Sequence, residues 1–235
     1  ISPPELNIGE TWTYEIETEA RSYKEKNTVI AIKDCGGVTC YLIHSESPGE
    51  TNDYWMTRNW ELFRNSGTSA SGRYNFTYNP PLPIYAFPLE VGGAWSWNST
   101  FEGTITSGGL DQNYTGTIAG IHRRVTAKEM VTVPAGTFEA YLVEHLDDKF
   151  VTRKLWFSEK VKEAVKFEFY ERGRVSLKGN LVSFTLASLP GEKVIPVEMI
   201  GAAAAVGVAV VVIFIARARR KPTALEKGKR QESAA

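Results

Sequence analysis

Of 235 residues, only two are Cys, three His and three Met. Two Cys cannot supply a structural zinc site of four protein ligands, and three His are thin stock for a hydrolase or metal centre, which needs convergent acid, base and nucleophile groups. There is no Gly-x-Ser-x-Gly, no His-Glu-x-x-His and no phosphate-cradling glycine loop. Before Met199 no stretch keeps a helical apolar period over three turns, so an α-helical or α/β domain is excluded there. No catalytic residue, no resident metal and no cofactor is expected, and the chain is read as a non-enzyme.

Net charge is also absent, since 27 basic residues balance 27 acidic ones. The balance conceals two regions. The tail 217–235 has seven Lys or Arg against two Glu, a net of +5, and leaves −5 on residues 1–198. Between them, Met199 to Ala216 is eighteen residues without a charge, long enough to span a hydrocarbon core of about 30 Å. A buried core helix is the alternative, but the abrupt Arg217-Ala-Arg-Arg220 that follows favours a membrane exit. The positive-inside bias puts the tail in the cytoplasm and the N-terminal part outside, a single-pass topology at the cell membrane. A cleaved signal sequence upstream of Ile1 is the economical way to reach that topology. The acidic outer part argues against nucleic acid, and the basic tail makes anionic membrane lipid its nearer partner.

Other features agree with an extracellular location. Asn75-Phe-Thr, Asn98-Ser-Thr and Asn113-Tyr-Thr are sequons for N-linked glycans. Cys35 and Cys40 flank Gly-Gly-Val-Thr, a spacing that suits a disulfide across a tight turn rather than two free thiols.

Period-two alternation dominates the outer region. Trp12, Tyr14 and Ile16 alternate with Thr and Glu, and Val165, Phe167 and Phe169 with Lys166, Glu168 and Tyr170. Gly173 marks a hairpin turn, and 28–34 with 39–45 predicts another hairpin closed by the Cys-Gly-Gly turn. About ten antiparallel strands in some 190 residues fit one all-β domain, a β-sandwich or an open half-barrel. Prolines 80, 81, 83 and 88 bar 79–93 from a central strand and predict a stiff loop or edge. The organisation is therefore an outer β-domain over 1–188, a linker over 189–198 with Pro190 and Pro196, one C-terminal transmembrane α-helix over 199–216, and the tail.

Three phrases, "PLEVGGAWSW" (88–97), "VTVPAGTFEAYLVE" (131–144) and "LWFSEKVKEAVKFEF" (155–169), resemble a widespread family of uncharacterised extracytoplasmic β-domains, similar in outline to the half-barrels of lipoprotein carriers. The matching positions are Gly92 or Gly93 with Trp95, Val133 to Ala140, and Trp156-Phe157-Ser158 with Val165-Lys166-Phe167-Glu168. The resemblance implies fold and is silent on activity. It departs from the carriers in the membrane anchor and in lacking a helix to plug the barrel.

Candidate sites follow. His122 and His145 could face each other across adjacent strands and hold a metal with Asp147 or Asp148, and "HLDD" could be a calcium corner; turn and strand-face roles are preferred for both. Tyr54, Trp55, Trp60 and Phe63 surround a polar turn and, with Tyr85 and Phe87 of the Pro-rich loop, form the candidate binding rim, against plain packing. In the span, Gly201 with Ala205 and Ala203 with Gly207 are small-xxx-small pairs that admit a second helix. These observations favour an accessory interaction subunit with a membrane- or surface-protein partner. The alternative is a lipid-like ligand cupped in the concavity of an unplugged half-barrel.

Overall fold

A computed structural model describes residues 1–147 and 150–187. The linker, the apolar span with Gly201, Ala203, Ala205 and Gly207, the basic tail and Asp148 lie outside the described residues. Among the described residues, no helix is long and apolar enough to cross a membrane.

The described chain is all β. Its strands are β1 (Thr11–Thr18), β2 (Ser22–Asp34), β3 (Thr39–Ser47), β4 (Glu50–Thr57), β5 (Glu61–Ser69) and β6 (Gly72–Pro83), then β7 (Ala94–Ser107), β8 (Leu110–Val133), β9 (Gly136–Asp147), β10 (Phe150–Ser158), β11 (Glu163–Glu171) and β12 (Arg174–Thr185). Each pairs antiparallel with its neighbours in sequence, and β1 pairs with β12, from Thr11 opposite Thr185 to Thr18 opposite Leu177. The result is a closed barrel, which corrects both the sandwich and the open half-barrel. Closure gives the two end strands partners and so removes the sheet's edges.

Alternation places the side chains as expected. Trp12, Tyr14 and Ile16 point inward, as do Val165, Phe167 and Phe169, and all are buried. Aromatic rings from one strand fill space left by glycines on the next: a Cβ on Gly179 of β12 would stand 1.9 Å from Phe167 Cζ, and one on Gly67 of β5 would stand 2.5 Å from Tyr74 Cε1. Glycine is needed at these positions for room.

The Pro-rich segment is an edge and then a loop. β6 continues through Pro80 and Pro81, with Leu82 opposite Leu62 and Pro83 opposite Glu61. Pairing with β7 ends at Asn79, and the β5 register shifts between Leu62 and Arg64. Past Asn79 the strand has a neighbour on one side only, and the prolines sit at the irregularity, where their missing N–H groups cost the ladder little.

Because the strands alternate in direction, the turns at 34–39, 57–61, 83–94, 133–136 and 158–163 lie at one rim together with the start of β1 and the end of β12. Residues 1–10 and the loop after Pro83 plug this rim. The Ile1 ammonium donates to Leu89 O at 2.9 Å and Trp60 Nε1 donates to Pro4 O at 3.3 Å. Lys162 Nζ lies 2.7 Å from Glu10 Oε1 and donates to Glu5 O at 2.8 Å, with the Glu10 side chain fully buried.

The sulfurs of Cys35 and Cys40 are not bonded in this structure, and the two thiols lie within hydrogen-bond reach of one another. Cys40 stands opposite Lys33, while Cys35 N–H donates to Val38 O, so the pair is diagonal across the hairpin. Burial, and then the adjacent Cys35 thiol, push the Cys40 thiol up to about 12.

Candidate functional site

The predicted rim is not assembled. Trp60 and Tyr85 are buried in the plug, their rings 5.9 Å apart, and Tyr85 packs on Phe157 at 4.8 Å. Phe87 joins them, 5.5 Å from Phe157. The positive φ of Trp60, 62°, turns its ring into the barrel end, which residue type alone does not signal. Trp55 lies under the Arg64 guanidinium at 4.9 Å, Phe63 is half-buried, and Tyr54 faces the interior opposite Asn65. These six residues thus belong to three environments.

Neither does the histidine pair form. His145 is opposite Arg123, and His122 is opposite Leu146, so the two imidazoles project to opposite faces. Among the described residues no group of three metal-ligating side chains forms. Of the sequons, Asn98 and Asn113 are exposed, and Asn75 is half-buried with its Oδ1 accepting from Arg64 Nε at 2.8 Å.

The interior carries two polar groupings. On β2 to β6, Asn27, Ser45, Asn52, Tyr54 and Asn65 each turn a buried polar atom inward that has no hydrogen-bond partner. Tyr74 and Tyr78 donate to the side-chain oxygens of Asn52 and Asn65 at 2.8 and 3.1 Å. Donors and acceptors are mixed here, so this wall selects no charge.

The second grouping is different. Trp95 of β7, Arg123 of β8, His145 of β9 and Arg153 of β10 are directly opposite one another, one row across four strands. Arg123 is 5% exposed and His145 4%. The Arg123 Nη1 donates to the carbonyls of Pro83 and Ile84, the latter at 2.6 Å, and its guanidinium covers Trp97 at 4.4 Å. Arg153 lies over Phe169 at 4.9 Å. Four buried atoms lack partners: Arg123 Nε, His145 Nε2, and Nε1 of Trp95 and Trp97. Among the described residues neither guanidinium is ion-paired with a carboxylate.

Electrostatics follow from this crowding of positive charge. Burial lowers Arg123 well below its ordinary value and Arg153 reinforces the effect. Burial lowers Arg153 to about 10. His145 is held well below the usual imidazole range, first by burial and then by Arg123 and Arg153, and is neutral at pH 7. A depression of about 310 Å³ lies on the outer face of these strands, where Ala94, Ser96, His122, Arg124 and Leu146 line it together with parts of Trp95 and Arg123.

Sequence reasoning passed over Arg123 and Arg153, although a signal existed. Both occupy the inward beat of an apolar alternation, Arg123 two residues before Val125 and Arg153 two residues before Leu155. An arginine where the pattern calls for valine marks an interior cation.

No family model matches the chain, and no curated protein matches it. Among solved structures it is similar to a Bacteroides fragilis protein described as exported, with a YmcC-like fold, and to a Parabacteroides distasonis protein described as a lipoprotein. Each is 11% identical with a TM-score of 0.40 over 77% of this chain, covering 97% and 96% of theirs. At this identity and TM-score nothing about ligand, partner or location passes from them to this chain.

Proposed function

We propose that this chain is a non-enzymatic interaction subunit of the cell envelope, anchored by residues 199–216 with its barrel outside, that docks on a membrane-protein partner through the plugged rim. The supporting observation is an aliphatic cluster at that rim. Ile8, Ile30, Ile32 and Val38 are 60%, 45%, 41% and 49% exposed. Gly9 N–H donates to Val29 O at 2.8 Å, which sets Ile8 beside Ile30, and Val38 closes the β2–β3 turn beyond Ile32. Apolar exposure gathered in one place marks a contact surface more often than scattered apolar residues do. β12 ends at Thr185, opposite Thr11, which is itself opposite Thr28 of β2. The strand leading toward the apolar span therefore finishes beside the aliphatic cluster.

The test is site-specific photo-crosslinking in the native membrane, with the photoreactive residue at Ile32 or Val38 and a control at Leu110, which is exposed at the opposite rim. A discrete protein adduct from Ile32 and Val38, absent from Leu110 and lost in an Ile8→Asp/Ile30→Asp background, is the expected result. Lipid adducts alone, or no adduct, would overturn the proposal.

A further inference from the structure

We propose that the row Trp95, Arg123, His145 and Arg153 binds a small oxyanion, a carboxylate or phosphate group.

Three features carry this. The row is built of donors: two guanidinium groups, two indole N–H groups counting Trp97, and an imidazole that is neutral and can turn an N–H toward a ligand. It is also unsatisfied. The Arg123 Nε and His145 Nε2 belong to side chains at least nine-tenths buried and have no partner; the Nε1 atoms of the half-buried Trp95 and Trp97 are themselves buried and also lack one. Finally, two buried or partly buried positive charges face each other across His145 with no carboxylate paired to either. Burying a charge without a counter-charge is costly, and a bound anion would offset that cost while accepting from several donors at once.

Selectivity follows from the same geometry. A cation would meet two guanidinium groups, and a neutral apolar molecule would leave every donor unmatched. A planar carboxylate or a tetrahedral phosphate offers acceptors to more than one side of the row. The carbonyls of Pro83 and Ile84 hold Arg123 from behind, so the guanidinium is fixed before a ligand arrives. By contrast, Arg124 and Lys154 on the outer face of the same strands already share Glu144, at 2.8 and 3.6 Å, and have no such vacancy of charge.

The test uses the full chain in detergent, titrated with sodium phosphate and with sodium acetate against sodium chloride at constant ionic strength. Indole fluorescence is one readout, with Trp95→Phe identifying the share of Trp95 among the six tryptophans, and thermal midpoint gives a second. A saturable response to phosphate or acetate, absent with chloride, is expected. Arg153→Met and Trp95→Phe should each weaken it roughly tenfold or more, as for loss of one charge-assisted or buried donor. Trp95→Phe keeps the ring volume, so it remains informative if Arg153→Met fails to fold. Lys154→Met, on the outer face, should leave binding unchanged. Micelles doped with phosphatidic acid, compared with phosphatidylcholine, separate sources: a response to the former without one to inorganic phosphate assigns the oxyanion to a lipid headgroup. No saturable response in any arm, or equal affinity in folded Trp95→Phe and Arg153→Met, would overturn the assignment.

Discussion

The ring of Phe167 on β11 fills the space above Gly179 on β12, so closely that a Cβ at Gly179 would stand 1.9 Å from Phe167 Cζ. Both residues face the interior, and β12 is the strand that joins β1 to close the barrel. Gly179→Ala should therefore destabilise by about 1–3 kcal/mol through overpacking. In the double variant with Phe167→Leu the two losses should fall short of additive, because the smaller side chain makes room. Urea unfolding of the four proteins of this cycle measures the coupling.

Glu163 supplies a pH signature. Burial raises its pKa from 4.5 to about 7, against the lowering effect of the Ala164 N–H and the Tyr85 hydroxyl. Between pH 4.5 and 7 the unfolded chain releases this proton while the folded barrel keeps it, so the group's contribution to stability falls as pH rises, by about 3 kcal/mol in all, and is level above pH 7. His145 acts in the opposite sense, since its lowered pKa makes stability fall as pH drops below the unfolded value near 6.5. The difference between wild type and Glu163→Gln isolates the first effect: the variant should gain relative stability steadily from pH 4.5 to 7. A constant difference across that range would refute the assignment.

The Lys162–Glu10 ion pair ties residues 1–10 to the β10–β11 turn, with Glu10 fully buried. Lys162→Met strands that carboxylate and should cost about 3–5 kcal/mol. Lys162→Met combined with Glu10→Leu should recover much of the loss, since no charge is then left buried. Thermal unfolding of both variants checks the order.

The thiols should differ in reactivity. Cys35 is half-buried, whereas Cys40 is fully buried and raised to about 12. At pH 8 a maleimide should modify one thiol per folded chain, at Cys35, and the second only on unfolding. Peptide mass spectrometry after timed quenching reads this; early modification of Cys40 would contradict the burial.

Much of the fold was legible because an inward–outward beat is written into each strand: Trp12, Tyr14 and Ile16 on one, Val165, Phe167 and Phe169 on another. β5 escaped because its inward positions include Asn65 and Gly67, which keep the beat without being apolar. Closure escaped too. The partners Thr11–Thr18 and Leu177–Thr185 stand at opposite ends of the barrel sequence, and nothing local records which distant edge a strand will meet. The aromatic residues near Trp60 were visible as a group, but the positive φ that sends Trp60 inward was not. The donor row was half legible, as arginines on an apolar beat, and only the register showed that Trp95, Arg123, His145 and Arg153 fall on one line.

Every strand pairing except β1 with β12 joins sequence neighbours. The connectivity of the barrel is therefore a ring with one opening, and that opening lies between two strands that already touch. A short linker from β12 to β1, with new termini cut at the exposed Gly108-Gly109 turn, would give a circular permutant in which no ladder is lost and every hairpin but one remains a hairpin. What the chain's order dictates is the rim at which the chain leaves β12; the barrel itself has no first strand.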